Sequence, residues 1–324
     1  MNARDEYRAH FQASAHCFKL YFLERACGWG AKTSGKNAPR YLAILQEAYP
    51  NLESALHGAL SSLREGCSED ALWHLWRSAV IRLYEFYDYR GLWEQMHSLL
   101  SEGVQEAEKR QDDRAEADFL YLQARIEANQ GQSERALEKS AKSLRLFETL
   151  GIDPGVASVL HFRGMLLRRQ DPQAARQSYE RSLGLSEGLH NEHGQASTLY
   201  EIGRLEEAKG NNATAERLYR EALGRFQELD SPREQATLLF QLGGLLGDIE
   251  YLQDALCIYS DLMDQRGYAQ TLHYLGRVWQ KKGDPAQAQS LYNEALRVFG
   301  RLGASRAIQS VERDLDRLNN GSSQ

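Results

Sequence analysis

From about residue 68 onward, apolar and polar positions recur with the period of an α-helix, and the helical stretches come in pairs. Residues 269–302, AQTLHYLGRVWQKKGDPAQAQSLYNEALRVFGRL, show the unit most plainly. Gly276 sits where two helices can approach, Gly283-Asp284-Pro285 interrupts the pattern, and Ala288, Tyr292 and Ala295 share one side of a second segment. Moving this pattern backwards places Tyr84, Ala124, Gly164, Gly203 and Gly243 at the position of Gly276, with successive spacings of 40, 40, 39, 40 and 33 residues. Six helix hairpins are predicted.

Second helices repeat the rule. Met96, Leu100 and Gly103, then Ala136, Ser140 and Ser143, Ala175, Tyr179 and Ser182, Ala215, Tyr219 and Ala222, and Ala255, Tyr259 and Leu262 match Ala288, Tyr292 and Ala295. The small residue on the first helix lets the second come close, the alanine admits its partner's backbone, and the ring fills the space above. Gly91, Gly131, Gly210 and Gly283 are placed to end first helices with positive φ. The long period leaves extra residues at 150–155, 188–194 and 229–234, expected as loops or as lengthened helix ends on one edge.

The small and aromatic positions Leu272, Leu275, Gly276, Ala288, Tyr292 and Ala295 resemble those of the tetratricopeptide repeat. The fold expected is all-α, a right-handed superhelical solenoid of such hairpins. Residues 67–303 would form the six repeats, 1–66 an N-terminal helical segment, 304–319 a capping helix and 320–324 a flexible tail. In the capping helix Ile308, Val311, Leu315 and Leu318 share one side, opposite its charges.

In the N-terminal segment Phe18, Tyr21 and Phe22 lie at helical spacing, followed by a glycine-rich loop from Cys27. A helix from about Pro39 to Leu63 follows, with a break near Pro50 as the alternative. LYFLERACGW, YLAILQEAYPNLESALHGAL and EFYDYRGLWEQMHSLL resemble the segment after the nucleotide-binding core of STAND-type signalling ATPases, as in NLR-like proteins and antibiotic regulators. The likeness is carried by Tyr21, Phe22, Leu23, Glu47, Asn51, Leu52, Ala55, Leu56, Phe86, Arg90, Gly91, Glu94 and Leu99. The ATPase core itself is absent, so the resemblance implies the C-terminal sensor repeats of a larger switch, cut from it or encoded alone.

Composition narrows the chemistry. A formal charge of −6 speaks against a duplex nucleic-acid surface, and no apolar run approaches the length of a membrane span. Cys17, Cys27, Cys67 and Cys257 have no CxxC spacing and read as reduced, mostly buried thiols. The N-terminus lacks a signal-peptide pattern, so a cytoplasmic location is expected. Residues 30–36 satisfy GxxxxGK, but Asn37 stands where a phosphate-binding loop needs Ser or Thr, and no apolar strand precedes it. His190 and His193 flank Glu192 in what reads as a solvated loop rather than a metal site, and Trp73 and Trp76 read as core. No nucleophile motif singles out a catalytic group, and neither enzyme activity nor a cofactor or metal is expected.

The functional candidates lie beside the buried stripe of the first helices. Three residues before each anchor stand Ile81, Tyr121, His161, Tyr200, Phe240 and His273. One after it come Glu85, Arg125, Met165, Arg204, Gly244 and Arg277, and six before it Ser78, Asp118, Ser158, Ser197, Thr237 and Gln270. These offsets share one helical face. Rings and arginines side by side suit peptide and carboxylate recognition. The expected groove therefore comprises Asp118, Tyr121, Arg125, Ser158, His161, Ser197, Tyr200, Arg204, Phe240, Gln270, His273 and Arg277. It would bind a peptide or protein segment, acidic ones included, or a small anionic ligand. The alternative is that the rings pack between helices while the arginines pair with Asp118, Glu85 or Glu207. At the level of function, a STAND-like sensor stands against a free-standing scaffold for protein assembly.

Overall fold

The computed structural model describes residues 18–30, 38–64 and 70–321, and no strand occurs among them. The expected phosphate-loop look-alike, Cys17, Cys67 and the tail beyond residue 321 lie outside the described residues. The elements are α1 (18–30), α2 (Ala38–Arg64), α3 (Asp70–Arg90), α4 (Trp93–Arg110), α5 (Asp113–Asn129), α6 (Ser133–Thr149), α7 (Asp153–Leu167) and α8 (Pro172–Gly188). They continue as α9 (Glu192–Ala208), α10 (Asn212–Glu228), α11 (Pro232–Leu246), α12 (Ile249–Asp261), α13 (Gln265–Lys282), α14 (Pro285–Arg301) and α15 (Ser305–Gly321). The chain forms two compact units, residues 1–166 and 167–324, each described by itself.

In the first unit α2 runs unbroken through Pro50. Leu45 before the proline and Leu52 and Leu56 after it are buried in one core, and that packing outweighs the backbone hydrogen bond the proline forfeits. Helix α1 also persists through Gly28 to residue 30, later than the glycines suggest, with Leu23 and Ala26 fully buried. Trp73 and Trp76 of α3 stack with centroids 5.6 Å apart, and Phe119 of α5 meets Trp76 edge-on at 5.8 Å. Their indole N–H groups are satisfied, Trp76 donating to the Leu56 carbonyl at 2.9 Å and Trp73 to the Asp112 carboxylate at 2.8 Å. Here Tyr84 occupies the small-residue position. The small residue has moved to the second helix, where a Cβ on Gly103 would lie 2.8 Å from the Phe119 ring.

In the second unit the hairpin rule is explicit. A Cβ on Gly203 would lie 2.7 Å from the ring of Tyr219, and one on Gly276 would lie 2.6 Å from that of Tyr292. Both tyrosines are fully buried except for a hydroxyl that reaches the first helix, Tyr219 donating to Glu207 at 2.6 Å and Tyr292 to Gln280 at 2.8 Å. Helix α15 covers the end of this core with Val311 and Leu318 buried and Ile308 and Leu315 packed against it.

The turns sort by type. Gly91, Gly131, Gly210 and Gly283 adopt φ of 67°, 79°, 81° and 82° between first and second helices, as expected, and Gly247 does the same at 66°. The extra residues of the long period lengthen helices rather than loops. Only residues 150–152, 189–191 and 229–231 separate the helices there, because the added turns carry buried groups such as Phe147, Ser186 and Phe226. Each connection from a second helix to the next first helix holds one left-handed residue: the middle one at His190, Asp230, Met263, Gly151 and Gly303, with φ of 51°, 48°, 54°, 64° and 63°, and the first of two at Gln111, with φ of 56°. Cys27 is half-buried, whereas Cys257, expected inside, is exposed: it stands one residue before the inward Ile258 and Tyr259 on the outer side of α12.

Candidate functional site

On α5, Asp118, Tyr121 and Arg125 stand at i, i+3 and i+7 and so share a face, as their spacing requires. Together with Ile81, Tyr84 and Glu85 of α3, and with Leu122, they line a cavity of about 250 Å³. The Arg125 guanidinium lies over the Tyr84 ring, 4.3 Å from its centroid, and 6.0 Å from that of Tyr121. It donates to the Glu85 carboxylate at 3.3 Å. Asp118 has Arg114 at 3.6 Å, and burial pushes its carboxyl above the ordinary carboxylate range, against the pull of Arg114 and Arg77. Burial likewise raises the Tyr121 phenol. The other two candidates of this unit lie on α7. Ser158 is exposed and returns its hydroxyl to the Pro154 carbonyl at 2.9 Å, and His161 is half-buried.

In the second unit, Arg204 of α9 lies 5.5 Å from the Tyr200 centroid and pairs with the buried Glu201 at 3.1 Å. Arg168 at 3.7 Å and the Tyr179 hydroxyl at 3.4 Å also face Glu201. Ser197 stands 3.5 Å from the His193 ring and Gln270 is exposed. Phe240 meets Tyr274 edge-on at 5.6 Å. Arg277 lies 5.8 Å from the Tyr274 ring, and its guanidinium approaches Asp314 of α15 at 3.6 Å. His273 is 2.9 Å from the same carboxylate, and burial holds its imidazole below the ordinary value despite that neighbour. Thus Arg125, Arg204 and Arg277 each stand beside an aromatic ring and each have a carboxylate of the chain, of which Glu85 was foreseen while Glu201 and Asp314 were not.

A second row explains the rings. Tyr121 meets Phe162 at 5.7 Å, Tyr200 accepts from Gln241 at 3.4 Å, Phe240 meets Tyr274, and His273 meets Asp314. In the first three pairs a residue three before one anchor touches the residue two before the next. The sequence row at minus two, Leu122, Phe162, Glu201, Gln241 and Tyr274, has the same periodicity as the others and was the available signal. The ring row therefore serves both packing between neighbouring first helices and the exposed face. His193 packs edge-on against Phe226 at 5.3 Å, and no cluster of potential metal ligands occurs among the described residues. Nor is any described helix long and apolar enough to cross a membrane.

No protein-family model matches the chain, and no curated protein matches it in sequence. Solved structures do. The apo form of RapI superposes with a TM-score of 0.62 at 16% identity, over 78% of this chain and 92% of that one. A Rap protein complexed with competence and sporulation factor gives 0.58 at 11% identity, over 95% and 98%. A STAND protein with a tetratricopeptide repeat sensor from Pyrococcus horikoshii gives 0.54 at 15%, over 85% of this chain and 46% of that one. At these identities the likeness is one of fold, and the fold is that of tetratricopeptide-repeat helix hairpins.

Proposed function

We propose that this chain is a non-catalytic binding domain that takes a peptide segment of another protein, or a small anionic ligand, on the face presented by its first helices. The observation that carries this reading is the recurrence of an arginine beside an aromatic ring at Arg125, Arg204 and Arg277. Each pairing presents a planar cation of the kind that recognises carboxylates with a defined geometry. Helix α15 supports it from within the chain, because Asp314 lays a carboxylate against His273 and Arg277 as a ligand's acid would lie at the other positions.

The likeness to a Rap protein solved with competence and sporulation factor supports ligand binding on this fold, and that to a STAND repeat sensor supports a sensor role in a signalling regulator. The test is selection of a displayed peptide library on the purified chain, followed by calorimetric titration of the enriched peptides. Replacing Arg125, Arg204 and Arg277 with Ala, at unchanged helical circular dichroism, should weaken binding at least tenfold. Unchanged affinity, or no enrichment at all, refutes the proposal.

A further inference from the structure

The cavity between α3 and α5 carries more information than the arginine rows, because its polar groups are only partly matched by the protein itself. Arg125 commits one N–H of its guanidinium fork to Glu85, a monodentate pairing that leaves donors of the fork unused. Asp118 is met by Arg114 at 3.6 Å, a long contact to a side chain that is itself half in solvent. The Tyr84 ring lines the cavity, while its hydroxyl is buried away from it without a hydrogen-bond partner. Between these groups the walls are the apolar Ile81 and Leu122 and the rings of Tyr84 and Tyr121.

The spacing sets the ligand. Asp118 and Arg125 are seven residues apart on one helix, so their backbone positions are about 10 Å apart along the same face. A peptide in the polyproline II conformation advances about 3.1 Å per residue and turns once every three residues, so side chains three positions apart lie on one side and span that distance. The cavity, about 250 Å³, falls below the roughly 300–1,000 Å³ of sites that enclose a whole small molecule. It is sized for one or two residues of a longer chain lying across it.

Resting on the peptide-binding reading above, we propose that this slot binds a peptide in the polyproline II conformation bearing a basic side chain over Asp118 and, three positions away, a carboxylate on Arg125. The recognised peptide is therefore amphoteric, not simply acidic. The carboxylate is an Asp or Glu side chain or the chain terminus, both being anions that fit the guanidinium fork. Burial makes Asp118 a carboxylate short of compensating charge, which an incoming ammonium or guanidinium supplies. Glu85, exposed and paired with Arg125, is the internal competitor that the ligand's carboxylate replaces.

The experiment uses the full chain and two hexapeptide libraries with acetylated N-termini, one amidated and one with free C-terminal carboxylates. Enrichment of Lys or Arg three positions from Asp or Glu in the amidated library assigns the anion to a side chain. Enrichment of a basic residue three positions before the end, in the free-acid library only, assigns it to the terminus. Either outcome upholds the proposal, provided that Asp118→Asn weakens the selected peptide at least tenfold and Glu85→Gln tightens it severalfold.

Asp118→Lys should invert the preference at the basic position to Asp or Glu, and where that variant loses helical circular dichroism the Asp118→Asn and Glu85→Gln pair decides. Purely acidic peptides whose affinity ignores Asp118→Asn would overturn this inference while leaving the binding function intact. Failure of both libraries to enrich anything would overturn both.

Discussion

His273 on α13 and Asp314 on α15 are joined across 41 residues by a 2.9 Å contact between imidazole Nε2 and carboxylate Oδ2. Arg277 at 3.6 Å and Arg317 at 3.3 Å face the same carboxylate, so the acid that anchors the terminal helix is shared by three basic side chains. Helix α15 thus closes the apolar end of the core and places a carboxylate beside Arg277 of the arginine row.

The anchor should be pH-dependent with a defined sign. Burial holds folded His273 below its ordinary value of 6.5, so the unfolded chain takes up a proton first on acidification. Stability from the neutral imidazole is present above about pH 6.5 and lost as pH falls through the lower folded value. Hydrogen exchange of α15 amides should accelerate on moving from about pH 7.5 to pH 5 after correction for intrinsic rates, and His273→Gln should flatten the difference. An equal pH response in the variant would contradict this assignment.

Close approach at Gly276 makes a cost measurable. Gly276→Ala places a methyl 2.6 Å from Cε1 of Tyr292, and such overpacking costs about 1–3 kcal/mol, of which the better helix propensity of alanine returns up to about 1. Urea denaturation should show a net loss of about 1–2 kcal/mol. Combining it with Tyr292→Leu should give a double variant less destabilised than the sum of the two singles. Additivity would show that the ring is not what meets the new methyl.

The left-handed turns predict a gain. Met263 is 82% exposed and holds φ of 54°, a conformation that costs a residue with a side chain about 1 kcal/mol or more relative to glycine. Met263→Gly and Gln111→Gly should each raise stability by about 0.5–1 kcal/mol after the greater unfolded-state entropy of glycine is subtracted. Asp230→Gly should gain less, because aspartate tolerates this region. Melting temperatures of the three variants, measured together, test the order.

A buried hydroxyl without a partner predicts a gain in stability on its removal. Tyr84→Phe removes the unmet group and keeps the ring under Arg125, so the free protein should be stabilised by about 1 kcal/mol. Lost stability in thermal denaturation would mean that the hydroxyl is already satisfied.

Much of the architecture could be read from one dimension. The small anchor, the ring sixteen residues later and the glycine that ends the first helix are set by contacts within a hairpin, where short separation and helical period dictate which side chains meet. Gly203 with Tyr219 and Gly276 with Tyr292 are such cases, as are Gly91, Gly131, Gly210 and Gly283 with their positive φ. The rows containing Asp118, Tyr121 and Arg125 were equally legible, since positions i, i+3 and i+7 must share a face.

What lay beyond the sequence depended on contacts between hairpins. With spacings of both 33 and 40 residues in one chain, periodicity alone could not set the register of α15, and so could not bring Asp314 to His273. The same holds for Phe162 and Gln241 against Tyr121 and Tyr200, whereas Glu201 and Arg204 are i, i+3 on one helix and their pairing was open to local spacing. Pro50 is the converse, a local signal for a break overridden because leucines on both sides of it are buried together. Local spacing determined which side chains face outward from each helix and that Arg204 meets Glu201, whereas packing between helices decided the carboxylates that Arg125 and Arg277 meet and which polar groups remain unmatched.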